Sequence, residues 1–305
     1  MKSIYSFITA REKVMKAIFA FTALFSIIAL LVIAIFLFSN GIPFIIKNSD
    51  TFFTTNWDTI SPTPSYGIFA LLITTLYVTA ISVVLGVTLG LFTAVCLYKF
   101  CPKRLVTPIA HTVNLLAGIP SVIYGLIGLQ FIVPFMRDYI SPNGFGYGIL
   151  SASLVLAVMI LPTVVSVSLD ALNAVPKSYF EGALALGATK EQATFKVLIP
   201  AAKSGIFAGV VLATGRALGE TMAVAMVIGS QPQIPTSLFQ SVATLTSNIA
   251  QNAMEATGET KIALVASGVI LFFFTFVLNF AFSLLKRDRK EAKKKVKLYE
   301  KTKSI

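Results

Sequence analysis

The sequence predicts an all-α polytopic membrane protein with six transmembrane helices. Three observations carry this. Hydrophobic residues make up 56% of the 305 and charged residues 12%, against roughly 45–50% and about 25% in ordinary globular chains. Six apolar runs, 17–39, 68–96, 106–135, 148–169, 204–229 and 262–285, have the length that lipid demands. A run of about 20 such residues crosses the hydrocarbon core, where backbone amides have no partner but one another. Basic residues, finally, gather in alternate connections: 21 lie on one side, 3 on the other and one inside a span. The excess marks the cytoplasmic side, so both termini are expected there.

The first run, Ala17–Ser39, follows Arg11, Lys13 and Lys16. It is too long for a signal-peptide core, and Phe38-Ser39-Asn40-Gly41 is a poor cleavage site, so it reads as an uncleaved first span. Together with the loop to residue 67 it forms an N-terminal segment, 1–67. A five-helix core follows over 68–285. The second run carries Gly86 and Gly90, and the fifth carries Gly205/Gly209 and Gly215/Gly219. Such steps of four let helices approach closely and indicate packing. The third run is the least suited to lipid. Pro108, His111, Asn114, Pro120, Ser121, Gln130 and Pro134 suggest a helix buried in protein or lining a path.

Two long loops face the outside. In 40–67, Trp57 reads as an interfacial anchor. In 230–261, Leu238, Val242, Leu245 and Ile249 recur at helical spacing. That pattern fits either a helix capping the bundle or a docking surface for an external partner. The tail 286–305 holds ten of the basic residues and three acids, which suits anchoring to anionic lipid.

Catalytic chemistry finds little support. His111 is the sole histidine and has no acid or cysteine at metal-ligand spacing, so a buried or interfacial structural role is expected and no metal site. Cys96 and Cys101 straddle the cytoplasmic end of the second span, where a disulfide is not expected. Gly182–Gly187 has the glycines of a phosphate loop, but Ala188 stands where the lysine should be and no strand precedes it. The chain should bind no ATP by itself.

Two features remain. Arg216 and Glu220 lie four apart near the middle of the fifth run, which places both on one face of a continuous helix. A central Arg costs about 2.5–3.5 kcal/mol on insertion scales; the pair reads either as a structural ion pair joining helices or as a site on a transport path, and an intramembrane charge is functional by default. The Arg fork donates two hydrogen bonds to one oxyanion. The cytoplasmic segment 176–200 reads as a helix from about Ser178, a turn at Gly187 and a second helix from Thr189 to Leu198. Thr189 with Gln192 forms a capping box.

This segment resembles the EAA loop of ATP-driven (ABC) importer permeases of the type I fold. Glu181-Gly182-Ala183 stands for E-A-A, Gly187 has the right spacing, and Val197-Leu198-Ile199-Pro200 closes the motif. Gly182, Val197 and Ile199 depart from the consensus while keeping size or polarity. Two further runs, Leu116–Leu126 (Leu-Ala-Gly-Ile-Pro-Ser-Val-Ile-Tyr-Gly-Leu) and Arg216–Ala223 (Arg-Ala-Leu-Gly-Glu-Thr-Met-Ala), resemble the PstC type of phosphate-uptake permease. Sulfate and molybdate permeases share the Arg-Ala-Leu-Gly-Glu core but usually continue Phe-Gly, so Thr221-Met222 points to phosphate.

The resemblance implies a non-catalytic inner-membrane subunit that supplies half of a translocation path. It implies a PstA-like permease partner, two ATP-binding subunits that hold ATP and magnesium, and an external phosphate-binding protein. Glu181, Gly182, Ala183, Gly187, Val197 and Pro200 would form the ATPase-coupling surface. Arg216 would face the anion with Glu220 as its partner, and Ser121, Tyr124 and Thr221 would line the path. Other readings are a sulfate or molybdate importer of the same design and, from a different class, an ion-coupled secondary transporter. The latter predicts inverted repeats and midplane acids; no convincing repeat is visible, and Glu220 is the one clear midplane acid.

Overall fold

The computed structural model describes the backbone of residues 2–59 and 61–303 and the side chains of 12–59, 61–282 and 284. The expectation of a lipid-anchored tail at 286–305 lies outside the described side chains. Helices dominate: α1 (Lys2–Lys47), α2 (Ser49–Phe52), α3 (Phe69–Val95), α4 (Lys103–Gly118), α5 (Ser121–Ile127), α6 (Val133–Phe135), α7 (Ile149–Asn173), α8 (Lys177–Ala185), α9 (Lys190–Ala193), α10 (Ile199–Gly219), α11 (Met222–Val227), α12 (Leu245–Asn252) and α13 (Gly258–Lys303). The exception is one short antiparallel pairing of β1 (Trp57–Asp58) with β2 (Ser65–Tyr66).

Five stretches among the described residues are long and apolar enough to cross a membrane: 12–47, 69–100, 149–173, 190–219 and 258–282. A sixth appears if Lys103–Gly118 and Ser121–Ile140, bent by 101° at their junction, count as one span. The third run is thus no straight helix. Ile119 and Pro120 are extended at the bend, since a residue before proline is driven out of the helical region. The first span also outruns its expected end at Ser39 and continues, through Pro43, to Lys47.

Helix α7 is the hub. Fourteen of its residues are buried, and glycines on two neighbours let it sit close. A Cβ built on Gly86 of α3 would stand 2.6 Å from Ile160 Cγ1, and one on Gly90 would stand 2.8 Å from Val164 Cβ. On the other flank, a Cβ on Gly205 of α10 would lie 2.5 Å from Ala171 Cβ, and one on Gly209 would lie 3.2 Å from Val167 Cβ. Two small-residue pairs therefore serve one partner helix, as packing alone requires.

The end of the bundle that carries α2, β1, β2 and α12 has its own core. Phe44, Phe52, Trp57, Tyr66, Ile68, Leu71 and Leu245 pack together. Trp57 is 5% exposed and stacks edge-on against Tyr66 at 5.8 Å. It is a core residue, contrary to the interfacial role expected of it, because the β1–β2 turn folds it inward. Helix α1 joins the bundle late in its length. Gly41 faces Ala266 and Val269 of α13, Phe38 meets Phe272 edge-on at 5.5 Å, and Lys47 Nζ lies 3.8 Å from Glu259. The loop 230–261 forms a shorter helix than its periodicity implied. Thr244 caps α12 by a reciprocal pair with Ser247, so the helix begins at Leu245 and leaves Leu238 and Val242 outside. Thr244 to Asn248 are all buried, and α12 caps the bundle.

Candidate functional site

The fifth run is a helix with a break in it. Helix α10 stops at Gly219, and Glu220 adopts an extended conformation (φ −71°, ψ 126°) before α11 starts at Met222. Arg216 and Glu220 therefore do not share a continuous helical face, and they form no ion pair. The Glu220 carboxylate turns instead to the restarted helix and accepts the Ala223 N–H at Oε1, 3.2 Å away. An acceptor with negative charge at a helix N-terminus satisfies an orphan donor and suits the helix dipole. On the same residue, the carbonyl accepts the Thr246 hydroxyl at 3.0 Å. Helix α12 continues this service through Gln251 Nε2, which donates to the carbonyls of Ala225 and Gly229 at 3.3 and 3.4 Å.

Arg216 is half-buried. Its Nη1 makes one long contact, 3.5 Å, to Thr163 Oγ1 of α7. The guanidinium has five N–H donors, so most of the fork is unspent among the described residues. A charge with unspent donors in a membrane-spanning run must meet water, a second chain or an anion.

Helix α5 carries Tyr124 into the electrostatic reach of Arg216. Close approach at Gly125 makes this possible: a Cβ there would stand 2.9 Å from Ala223 Cα and 2.8 Å from Met226 Sδ. The Tyr124 hydroxyl donates to the Leu116 carbonyl at 2.7 Å and so closes the end of α4 across the bend. Thr221 likewise spends its hydroxyl on the Gly219 carbonyl at 3.2 Å. Ser121 opens α5, half-buried, with no side-chain hydrogen bond among the described residues. Arg216 and Ser121 thus retain donors, while Tyr124 and Thr221 hold the backbone in place. Thr163, Thr246 and Gly125 were not singled out in the sequence. Thr163 and Thr246 lie in no motif, Gly125 lies unremarked within the Leu116–Leu126 run, and each matters through a partner at least 26 positions away.

His111 is exposed on α4, which removes the buried alternative expected of it and leaves the interfacial one. The segment 176–200 folds in part as its residues indicated: the first helix, the turn and the cap are present, but the second helix does not end at Leu198 and runs on through Pro200 into α10. Helix α8 ends at Ala185, and Gly187 turns the chain at φ +85°. The Thr189–Gln192 box starts α9, with both reciprocal hydrogen bonds present. Glu181, Gly182 and Gly187 are exposed, as are Tyr179 and, at 91%, Leu186. Ala183 is half-buried. Val197 sits in a π-helical turn, Thr194–Leu198, that joins α9 to α10, and Pro200 occupies the first turn of α10. Lys99, just past the C-terminal end of α3, places its Nζ 4.0 Å above the Phe180 ring and 4.9 Å from that of Tyr98. A cation over an aromatic face ties the exposed knob to the bundle.

Residues 86–291 match the family model described as binding-protein-dependent transport system inner membrane component. Among curated proteins, the chain is 39% identical over 242 residues to the phosphate transport system permease protein PstC of Mesorhizobium japonicum, covering 73% of each chain. It is 36% identical over 250 residues to PstC of Pasteurella multocida, covering 75% of this chain and 78% of that one. Its fold is similar to a chain of the MetNI methionine ABC transporter in an inward-facing conformation (TM-score 0.58, 24% identity, 70% of this chain and 92% of that one). It is also similar to a chain of a bacterial ABC transporter that imports alginate (TM-score 0.57, 16% identity, 87% and 96%). A broken, charge-bearing span, an exposed helical knob and these likenesses converge: the chain belongs to the binding-protein-dependent transport system inner membrane components, the permease subunits of ABC importers.

Proposed function

We propose that this permease subunit carries inorganic phosphate inward and supplies half of the path. The observation that carries the reading is Arg216, a mid-membrane guanidinium with unspent donors at the break between α10 and α11. A forked cation suits a tetrahedral oxyanion, and the relatives at 36–39% identity bear phosphate in their names. Glu220 is engaged with α11 and is not a direct ligand, which also spares the anion its repulsion. Ser121 is the second candidate donor to the substrate. Tyr124 and Thr221 act by holding the bend and the break.

The remaining parts follow from this reading. A PstA-like permease completes the path, and an external phosphate-binding protein delivers substrate. Of two ATP-binding subunits, one docks on the 176–200 knob through Glu181, Gly182, Ala183, Gly187, Val197 and Pro200. ATP and magnesium belong to those subunits, and this chain is non-catalytic. The knob and both termini lie in the cytoplasm, following the excess of basic residues.

The test is uptake of radiolabelled phosphate by the assembled transporter, wild type against Arg216→Gln, with excess sulfate or molybdate as competitors. The expected result is saturable uptake, resistant to both competitors, that Arg216→Gln abolishes without loss of assembly. Unchanged uptake in the variant would remove Arg216 from the path. Competition by sulfate or molybdate would reassign the substrate to that oxyanion.

A further inference from the structure

Helix α4 presents three faces, and one of them has no use within this chain. Val106, Ile109, Val113 and Leu116, at steps of three and four, pack inward, with Val113 and Ile109 set against Val165 and Leu161 of α7. A second arc is apolar and outward: Leu105 is 52% exposed and Leu115 73%. Thr112, between them, hides its hydroxyl on the Pro108 carbonyl at 2.9 Å. This arc suits lipid.

The third arc is polar. Lys103, Thr107, His111 and Asn114 recur at steps of four, four and three, which aligns them along one side of the helix. All four are exposed, and none makes a side-chain hydrogen bond or ion pair among the described residues. Hydrocarbon does not tolerate such groups unpaired. The row begins at the basic cytoplasmic end and climbs toward Leu116, whose carbonyl is held by Tyr124, a residue within electrostatic reach of Arg216. From Lys103 to Asn114 it covers about 17 Å of helix.

We propose that this arc of α4 is the water-lined inner leg of the path, along which an oxyanion leaving Arg216 is passed to the cytoplasm by Asn114, His111, Thr107 and Lys103. The assignment rests on the transport reading above. A row of weak donors suits release: each group offers an anion one or two hydrogen bonds and none encloses it.

Single cysteines at 107, 111 and 114, with 105 and 115 as apolar controls, test this in the full transporter after Cys96→Ser and Cys101→Ser. Inside-out vesicles are treated with a charged, membrane-impermeant thiol reagent. The polar-arc positions should react at least about tenfold faster than the controls, because the reactive thiolate forms in water and not in hydrocarbon. Inorganic phosphate should slow labelling at 111 and 114. Equal rates on both arcs, or silence at 107, 111 and 114, would overturn the proposal; silence would mean that the second permease subunit covers the arc. Labelling without phosphate requires no transport, so it reports on the aqueous arc even if phosphate proves to be the wrong cargo.

Discussion

Gly86 and Gly215 belong to the same kind of small-residue pair, yet their surroundings differ. Gly86 lies against Ile160 and the Ala157 carbonyl, whereas a Cβ on Gly215 would meet nothing within 4 Å. Gly86→Val should therefore overpack the α3–α7 contact and cost about 1–3 kcal/mol, read as a lower melting temperature of the purified chain. Gly215→Val should leave that temperature unchanged. The sequence pattern could not separate the two, because a step of four marks a face and says nothing of what lies opposite. Glu220 shows the same limit. Its spacing from Arg216 was legible, but no proline marks the break that separates them. A local partner, the Ala223 N–H that the carboxylate caps, and a distant one, the Thr246 hydroxyl, hold the chain extended there.

At the scale of elements, local chemistry was read best. The α8–α9 knob depends on one left-handed glycine and one capping box, and both act within four residues, so their positions in the sequence suffice. Gly187→Val would force a branched residue to φ +85°, at a cost of the order of 1–3 kcal/mol. The turn is exposed and touches nothing, so the bundle should still insert while ATPase association and uptake fall. Co-purification of the ATP-binding subunit measures this; undiminished association would remove the knob from the coupling surface. The bend between α4 and α5 was half legible. Pro120 announced a break, but the 101° angle is set by tertiary contacts, above all Gly125 against Ala223. Likewise Trp57 carried no sign that a two-residue hairpin would bury it.

Across the whole molecule, the charge alternation and the span count agree with a bundle of five helices and one bent pair. The orientation can be read directly with a phosphatase reporter that is active only outside the cytoplasm. Fused after Leu186 it should be silent, and fused after Met254, which is 97% exposed, it should be active. The opposite pattern would invert the topology. The fold was legible at this scale because lipid imposes length and charge rules on every span. The division of labour between α7 as hub and α1 as a late-joining strut was not, since both read simply as apolar.

That strut has a bearing on biosynthesis. Helix α1 packs mainly against α13, where Gly41 receives Ala266 and Val269, and 211 positions separate Lys47 from Gly258. At about 5–20 residues per second of synthesis, the first helix waits roughly 10–40 s in the bilayer before its companion leaves the ribosome. Throughout that interval the Gly41 notch lies open to lipid, so the nascent permease is fastened shut by its last helix.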